Sequence, residues 1–149
     1  MKPTRTWILI ADSGRARVLE NLGPGKRAAE IAGLTFEADL PATHDLVSDR
    51  QGRSFESSSS TRHPLEPRSN PRDRLKHDFL TGIVEEIDAR FGRDAFDRLI
   101  VVAPPHALGE LRGLLTSRVR AAVTGELAKD LTKTPDHELP QHLEDVLIL

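Results

Sequence analysis

The chain has 149 residues, a formal net charge of -2 and no cysteine. That length supports one domain, spanning 1–149, with a buried core, and leaves little room for two of ordinary size. Near balance of charge gives no global pull toward nucleic acid or anionic membrane, and the lack of cysteine excludes disulfides, thiol catalysis and cysteine-ligated zinc.

Trp7–Ala11 is apolar throughout and predicts a central strand, while five residues are too few for a signal-peptide core. No apolar run approaches the ~20 residues needed to cross a bilayer. A cytoplasmic protein with no membrane partner is therefore expected. Asp12-Ser13-Gly14 supplies turn chemistry, because Gly14 tolerates positive φ and Asp12 can bond the backbone two residues on. From Arg15 to Glu20 the residues alternate, Ala16 and Val18 on one face and Arg15 and Arg17 on the other, which predicts a β-hairpin. Gly23-Pro24-Gly25 marks a second turn. Leu34, Phe36, Ala38 and Leu40 then alternate with Thr35, Glu37 and Asp39, as a half-solvated antiparallel strand would. The first forty residues read as a three-stranded meander.

From Pro41 to Asp73 the apolar content falls to little more than Leu46, Val47, Phe55 and Leu65. No period of 2 or 3.6 survives, and prolines and serines accumulate, so 41–73 reads as a long loop of the kind that is either functional or disordered. Asn70-Pro71 is a helix-start signal. Behind it Leu75, Phe79, Leu80, Ile83, Val84, Ile87 and Phe91 form one stripe, with Gly92 placed to close the helix in a left-handed cap. Leu99–Ala103 is a buried strand ended by Pro104-Pro105. Ala107, Leu108, Leu111, Leu114 and Leu115 predict a second helix. The stretch from Ala121 to Leu131 fits either helix or strand. Thr134-Pro135-Asp136 opens a last helix with Leu139, Leu143, Val146 and Leu147 inward, its regular part beginning near Pro140.

These pieces resemble the bacterial family "protein required for attachment to host cells". The resemblance lies in Trp7–Asp12 with Ala16–Glu20, in Leu99–His106 followed by Leu108-Gly109-Glu110-Leu111-Arg112, and in Lys129-Asp130-Leu131-Thr132. That family is in turn similar to the middle domain of archaeal and eukaryotic peptide-release factors. The resemblance implies an α/β fold: a mixed sheet of ribonuclease-H-like layout, with the N-terminal meander joined to the central strand and helices flanking. It also tips Ala121–Ala128 toward a strand. In release factors the loop before the first helix carries Gly-Gly-Gln. Here the nearest text is Asp49-Arg50-Gln51-Gly52-Arg53, with one glycine after the glutamine and none before it. Two glycines allow backbone conformations closed to other residues, so the termination chemistry is not carried over.

Arg50, Arg53, Arg62, Arg68, Arg72 and Arg74 are the candidate nucleic-acid contacts, since guanidinium pairs with phosphate in a bidentate fork. Asp45, Asp49, Glu56, Glu66 and Asp73 lie among them, as in an ordinary solvated loop. The candidate catalytic residues are Gln51, His106 and Asp12. His106 follows the central strand at its carboxyl end, where α/β sheets place ligand sites, and is also placed to sit in a first helical turn. Asp12 ends the first strand, where ribonuclease-H-like nucleases keep a metal-binding carboxylate, but Ser13-Gly14 beside it favours a turn. His44-Asp45 with a loop serine makes no triad, for want of a nucleophile elbow. His63, His77, His137 and His142 lack ligand spacing. No metal and no cofactor are expected. The leading expectation is a non-catalytic module binding RNA or the ribosome through its long loop. The alternatives are a hydrolase (a metal-dependent nuclease or divergent peptidyl-tRNA hydrolase) and a homo-oligomeric regulator acting on attachment indirectly.

Overall fold

The computed structural model describes residues 4–23, 28–38, 71–144 and 146. Most of the predicted loop 41–73, with Gln51, Arg50, Arg53, Arg62 and Arg68, lies outside the described residues, as do Leu40 and Leu147.

Among the described residues five strands form one mixed sheet: β1 Thr6–Ala11, β2 Arg15–Asn21, β3 Ala29–Glu37, β4 Arg98–Val102 and β5 Val123–Leu127. Their order is β3-β2-β1-β4-β5. β1, β2 and β3 pair antiparallel as the predicted meander, whereas β1, β4 and β5 run parallel. β1 and β4 sit inside the sheet, and β1 is buried along its whole length, as continuous apolar runs require.

Among the described residues four α-helices accompany the sheet: α1 Pro71–Gly92, α2 Pro105–Leu114, α3 Ser117–Ala122 and α4 Leu139–Leu143. α1 begins at the expected proline, so 71–73 are helix and not loop. Its buried residues are Leu80, Ile83, Val84 and Ile87. Leu75, expected on this stripe, is instead 37 % exposed, because the first two turns run past the packed surface. The left-handed residue ending α1 is Asp94 (φ 61°), not Gly92. The Ala95 amide reaches the Arg90 carbonyl and the Asp94 amide reaches that of Phe91, the paired bonds of a Schellman cap. Asp accepts this conformation more readily than most side chains do.

Alternation sends Trp7, Leu9, Ala11, Ala16, Val18, Leu99, Val101 and Ala103 to one face of the sheet, where they meet α1, α2 and α3. Trp7 stacks on Phe96 at 4.6 Å between ring centroids, and its indole N–H donates to Glu20 Oε2 across the β1–β2 pair (3.0 Å). The opposite face carries Ile8, Ile10, Leu19, Ile100 and Val102 under Leu131, Leu139 and Leu143 from the C-terminal segment.

β3 departs from simple alternation. It starts at Ala29, earlier than expected, and its register with β2 slips between Arg17 and Leu19. Gly33 sits in this irregularity with φ +84°, a conformation that costs other residues a Cβ clash. The slip puts Ile31 and Leu34, three apart, against the same helix-covered core, which no regular strand can do. The ambiguous stretch after α2 divides. Thr116 caps α3, its hydroxyl accepting from the Val119 amide, and only Val123–Leu127 is strand. The last predicted helix opens as a 3-10 turn, Asp136–Glu138, with α4 following from Leu139.

Candidate functional site

The order in which strands are added to the sheet reverses between the parallel neighbours β1 and β4: β2 and β3 lie to one side of β1, β4 and β5 to the other. Such a switch point opens a crevice at the carboxyl ends of the parallel strands, where open α/β sheets hold ligands. Three segments leave the sheet at this edge: Asp12-Ser13-Gly14 after β1, Ala103–His106 after β4 and Ala128–Thr132 after β5.

Asp12 performs the turn role read from the sequence. Its Oδ1 accepts from the amides of Gly14 and Arg15, each at 2.8 Å, and its own amide donates to the Arg15 carbonyl. Oδ2 faces Thr132 Oγ at 3.2 Å. The same hydroxyl lies 2.7 Å from Asp130 Oδ1, which also accepts the Thr132 amide. The one proton of the threonine hydroxyl is shared between the two carboxylates, Asp130 at 2.7 Å and Asp12 at 3.2 Å. Asp12 and Asp130 thus stand on either side of one buried Thr132, in a cluster that sequence reasoning missed. Asp130 and Thr132 were visible as parts of a motif, but their approach to Asp12 spans 120 positions and follows only from the β1-β4-β5 order.

His106 sits in the first turn of α2, its side chain 86 % exposed and its Nε2 3.0 Å from Glu110 Oε1. The other Glu110 oxygen lies 3.2 Å from Nδ1 of His77 on α1. His106 therefore belongs to a bridge between α1 and α2, and among the described residues its side chain meets Glu110 rather than Asp12. No group of three or more His, Asp or Glu side chains among the described residues is arranged to hold a metal ion.

Arg72 and Arg74, predicted on the loop, occupy the first turn of α1. Asp73 sits between them, while Lys76 and His77 follow in the second turn. Other cations serve the fold. The Arg5 guanidinium takes both carboxylate oxygens of Asp97 and the Asp94 carbonyl. Arg118 spans Asp88 with Nε and Nη2, and Thr116 donates to the same carboxylate at 2.7 Å. Together these bonds hold the Asp88 carboxyl below its ordinary range, the Arg118 bond contributing most.

No helix among the described residues is long and apolar enough to cross a membrane. A family model described as "Protein required for attachment to host cells" matches residues 7–143, from β1 to the end of α4. No curated protein matches the chain.

Proposed function

Because the chain belongs to the family described as "Protein required for attachment to host cells", we propose that it serves that family as a non-catalytic module binding RNA or the translation machinery. Its contact is the arginine-bearing stretch between β3 and α1. The observation that carries this reading is the start of α1, where Arg72, Arg74 and Lys76 stand on two turns that contribute no fully buried residue. They continue directly from the stretch bearing Arg50, Arg53, Arg62 and Arg68. Cations at a helix start run against the helix dipole, and guanidinium and ammonium groups placed there suit contact with phosphate. The strand order, with β1, β4 and β5 parallel and β2 and β3 antiparallel beside them, supports a ribonuclease-H-like layout and kinship with release-factor middle domains. On this reading the protein works in the cytoplasm, and its influence on attachment is indirect.

Ribosome and RNA co-sedimentation across a salt series tests the proposal. Wild type binds with an affinity falling steeply as salt rises, and changing Arg50, Arg53 and Arg62, or Arg72 and Arg74, to alanine weakens binding and flattens the slope. No salt-sensitive binding by wild type removes the proposal.

The cluster of Asp12 and Asp130 favours a second reading, a hydrolase acting at the carboxyl edge. It requires cleavage of short RNA or peptidyl-tRNA that is lost in Asp12→Asn, Asp130→Asn, His106→Ala or Gln51→Ala. Activity unmoved by all four substitutions excludes it.

A further inference from the structure

The second face of the sheet is covered by a segment with little order of its own. Between Leu131 and Leu143 the regular elements are a 3-10 turn of three residues and a helix of five, far below the ~12–15 residues at which an isolated helix becomes even marginal in water. Their conformation must therefore come from docking, through Leu131, Leu139 and Leu143 on Ile8, Ile10, Leu19, Ile100 and Val102.

Two polar anchors hold the segment down. The first is Arg17, which the alternation of β2 aims at this face and which is only 9 % exposed. Its Nη1 donates to Asp136 Oδ1 at 2.6 Å and Glu30 Oε2 at 3.2 Å, and its Nη2 to the carbonyls of Leu131 and Thr134. Three of these four acceptors lie within the segment itself. Among the described residues the buried Nε of Arg17 meets no partner, and a guanidinium removed from water with one N–H unmet recovers only part of its desolvation cost. The second anchor is Thr132, facing Asp12 at 3.2 Å.

We infer that Leu131–Leu143 is a strap that docks on the sheet and releases as one unit, latched by Arg17, and that its release takes the Asp12–Thr132–Asp130 cluster apart. The strap and the carboxyl edge are then coupled sites. Occupancy at the edge that requires Thr132 in place stabilises the docked strap, and by linkage the docked strap favours that occupancy. The inference does not depend on the partner proposed above, since it concerns an equilibrium of the free chain.

Native-state amide hydrogen exchange on the full chain tests it. The strap reporters are the amides of Thr134, Glu138 and Leu139, which donate to Leu131, Pro135 and Asp136. The reference set is Ile83 and Ile87 in α1. In wild type the strap amides exchange at a common rate well above that of the α1 amides. Arg17→Met speeds the strap amides at least tenfold and leaves α1 unchanged. Asp136→Asn, a milder change at a half-exposed residue, speeds them severalfold. Thr132→Val, which removes the hydroxyl but keeps the shape, also speeds them. Strap amides as slow as α1 in wild type, or equal acceleration of both sets in Arg17→Met and Asp136→Asn, overturns the strap. Strap rates unchanged by Thr132→Val overturn the coupling to the carboxyl edge.

Discussion

Leu9 and Ile10 are neighbours on β1, both fully buried, and they rest on opposite sides of the sheet. Leu9 lies under three helices, the longest of 22 residues. Its face gathers nineteen buried apolar residues among those described, against eight on the face of Ile10. The difference is one of kind as well as size. A helix of six turns supplies its own hydrogen-bond ladder before it packs, whereas short turns acquire order and burial together. Full burial of a side chain therefore does not report how firmly its covering is held.

Matched truncations give the largest test of this contrast. Leu111 of α2 and Leu143 of α4 are both completely buried. Leu111→Ala is expected to cost about 2–5 kcal/mol of global stability in chemical denaturation, as core leucines do. Leu143→Ala should cost clearly less, with its effect concentrated in the local opening of residues 131–143. Equal global losses break the comparison.

Gly33→Ala comes next, at about 1–2 kcal/mol from the positive φ alone, since open space surrounds the position. Its damage should fall on the helix-covered face, where the slip in β3 delivers Ile31 and Leu34, and tryptophan fluorescence from Trp7 would register it. Asp94→Gly has the opposite sign. It relieves a left-handed side chain and should raise stability by less than about 1 kcal/mol, because Arg5 keeps its bonds to Asp97. A loss would mean that the Arg5–Asp94 contact outweighs the backbone term.

Asp88→Asn is the smallest effect and the one that depends on pH. Arg118 and Thr116 favour the ionised carboxylate in the folded protein, so the wild-type residue contributes stability above its unfolded-state titration. That contribution is lost as pH falls through the depressed folded value. Asp88→Asn should unfold at slightly lower temperature than wild type at neutral pH, and the two should converge in strong acid. A constant gap across pH would assign the effect to packing.

The parts legible in the sequence are those whose signal is local and repeated. α1 began at the expected proline, and β1 and β4 fell within one residue of Trp7–Ala11 and Leu99–Ala103, because long stripes and continuous apolar runs overdetermine an element. Arg17 was read correctly as pointing away from Ala16 and Val18. Its burial was not legible, since a cation on an alternating strand looks solvated until Asp136, 119 positions away, is seen to meet it. The cap at the end of α1 misled for another reason: Gly92 is the commoner left-handed residue, but the helix continues through it to place Asp94 against Arg5. Of the candidate site, Asp12 and His106 were singled out and found in their turns, while the approach of Asp130 and Thr132 belongs to topology alone.

The slip at Gly33 also bears on how copies of this chain behave when crowded together. Among the described residues β3 pairs with β2 alone, and a strand edge with open N–H and C=O groups is a template on which another chain can add. A flat nine-residue edge would offer that template along its whole length. The irregularity divides it into two short pieces of different register, with Glu30 and Glu37 ion-paired to Arg17 and Arg15 of β2. A second molecule aligning on either piece loses register at the glycine. The residue that lets Ile31 and Leu34 share one core thus also makes the outer rim of the sheet a poor seed for fibrous assembly.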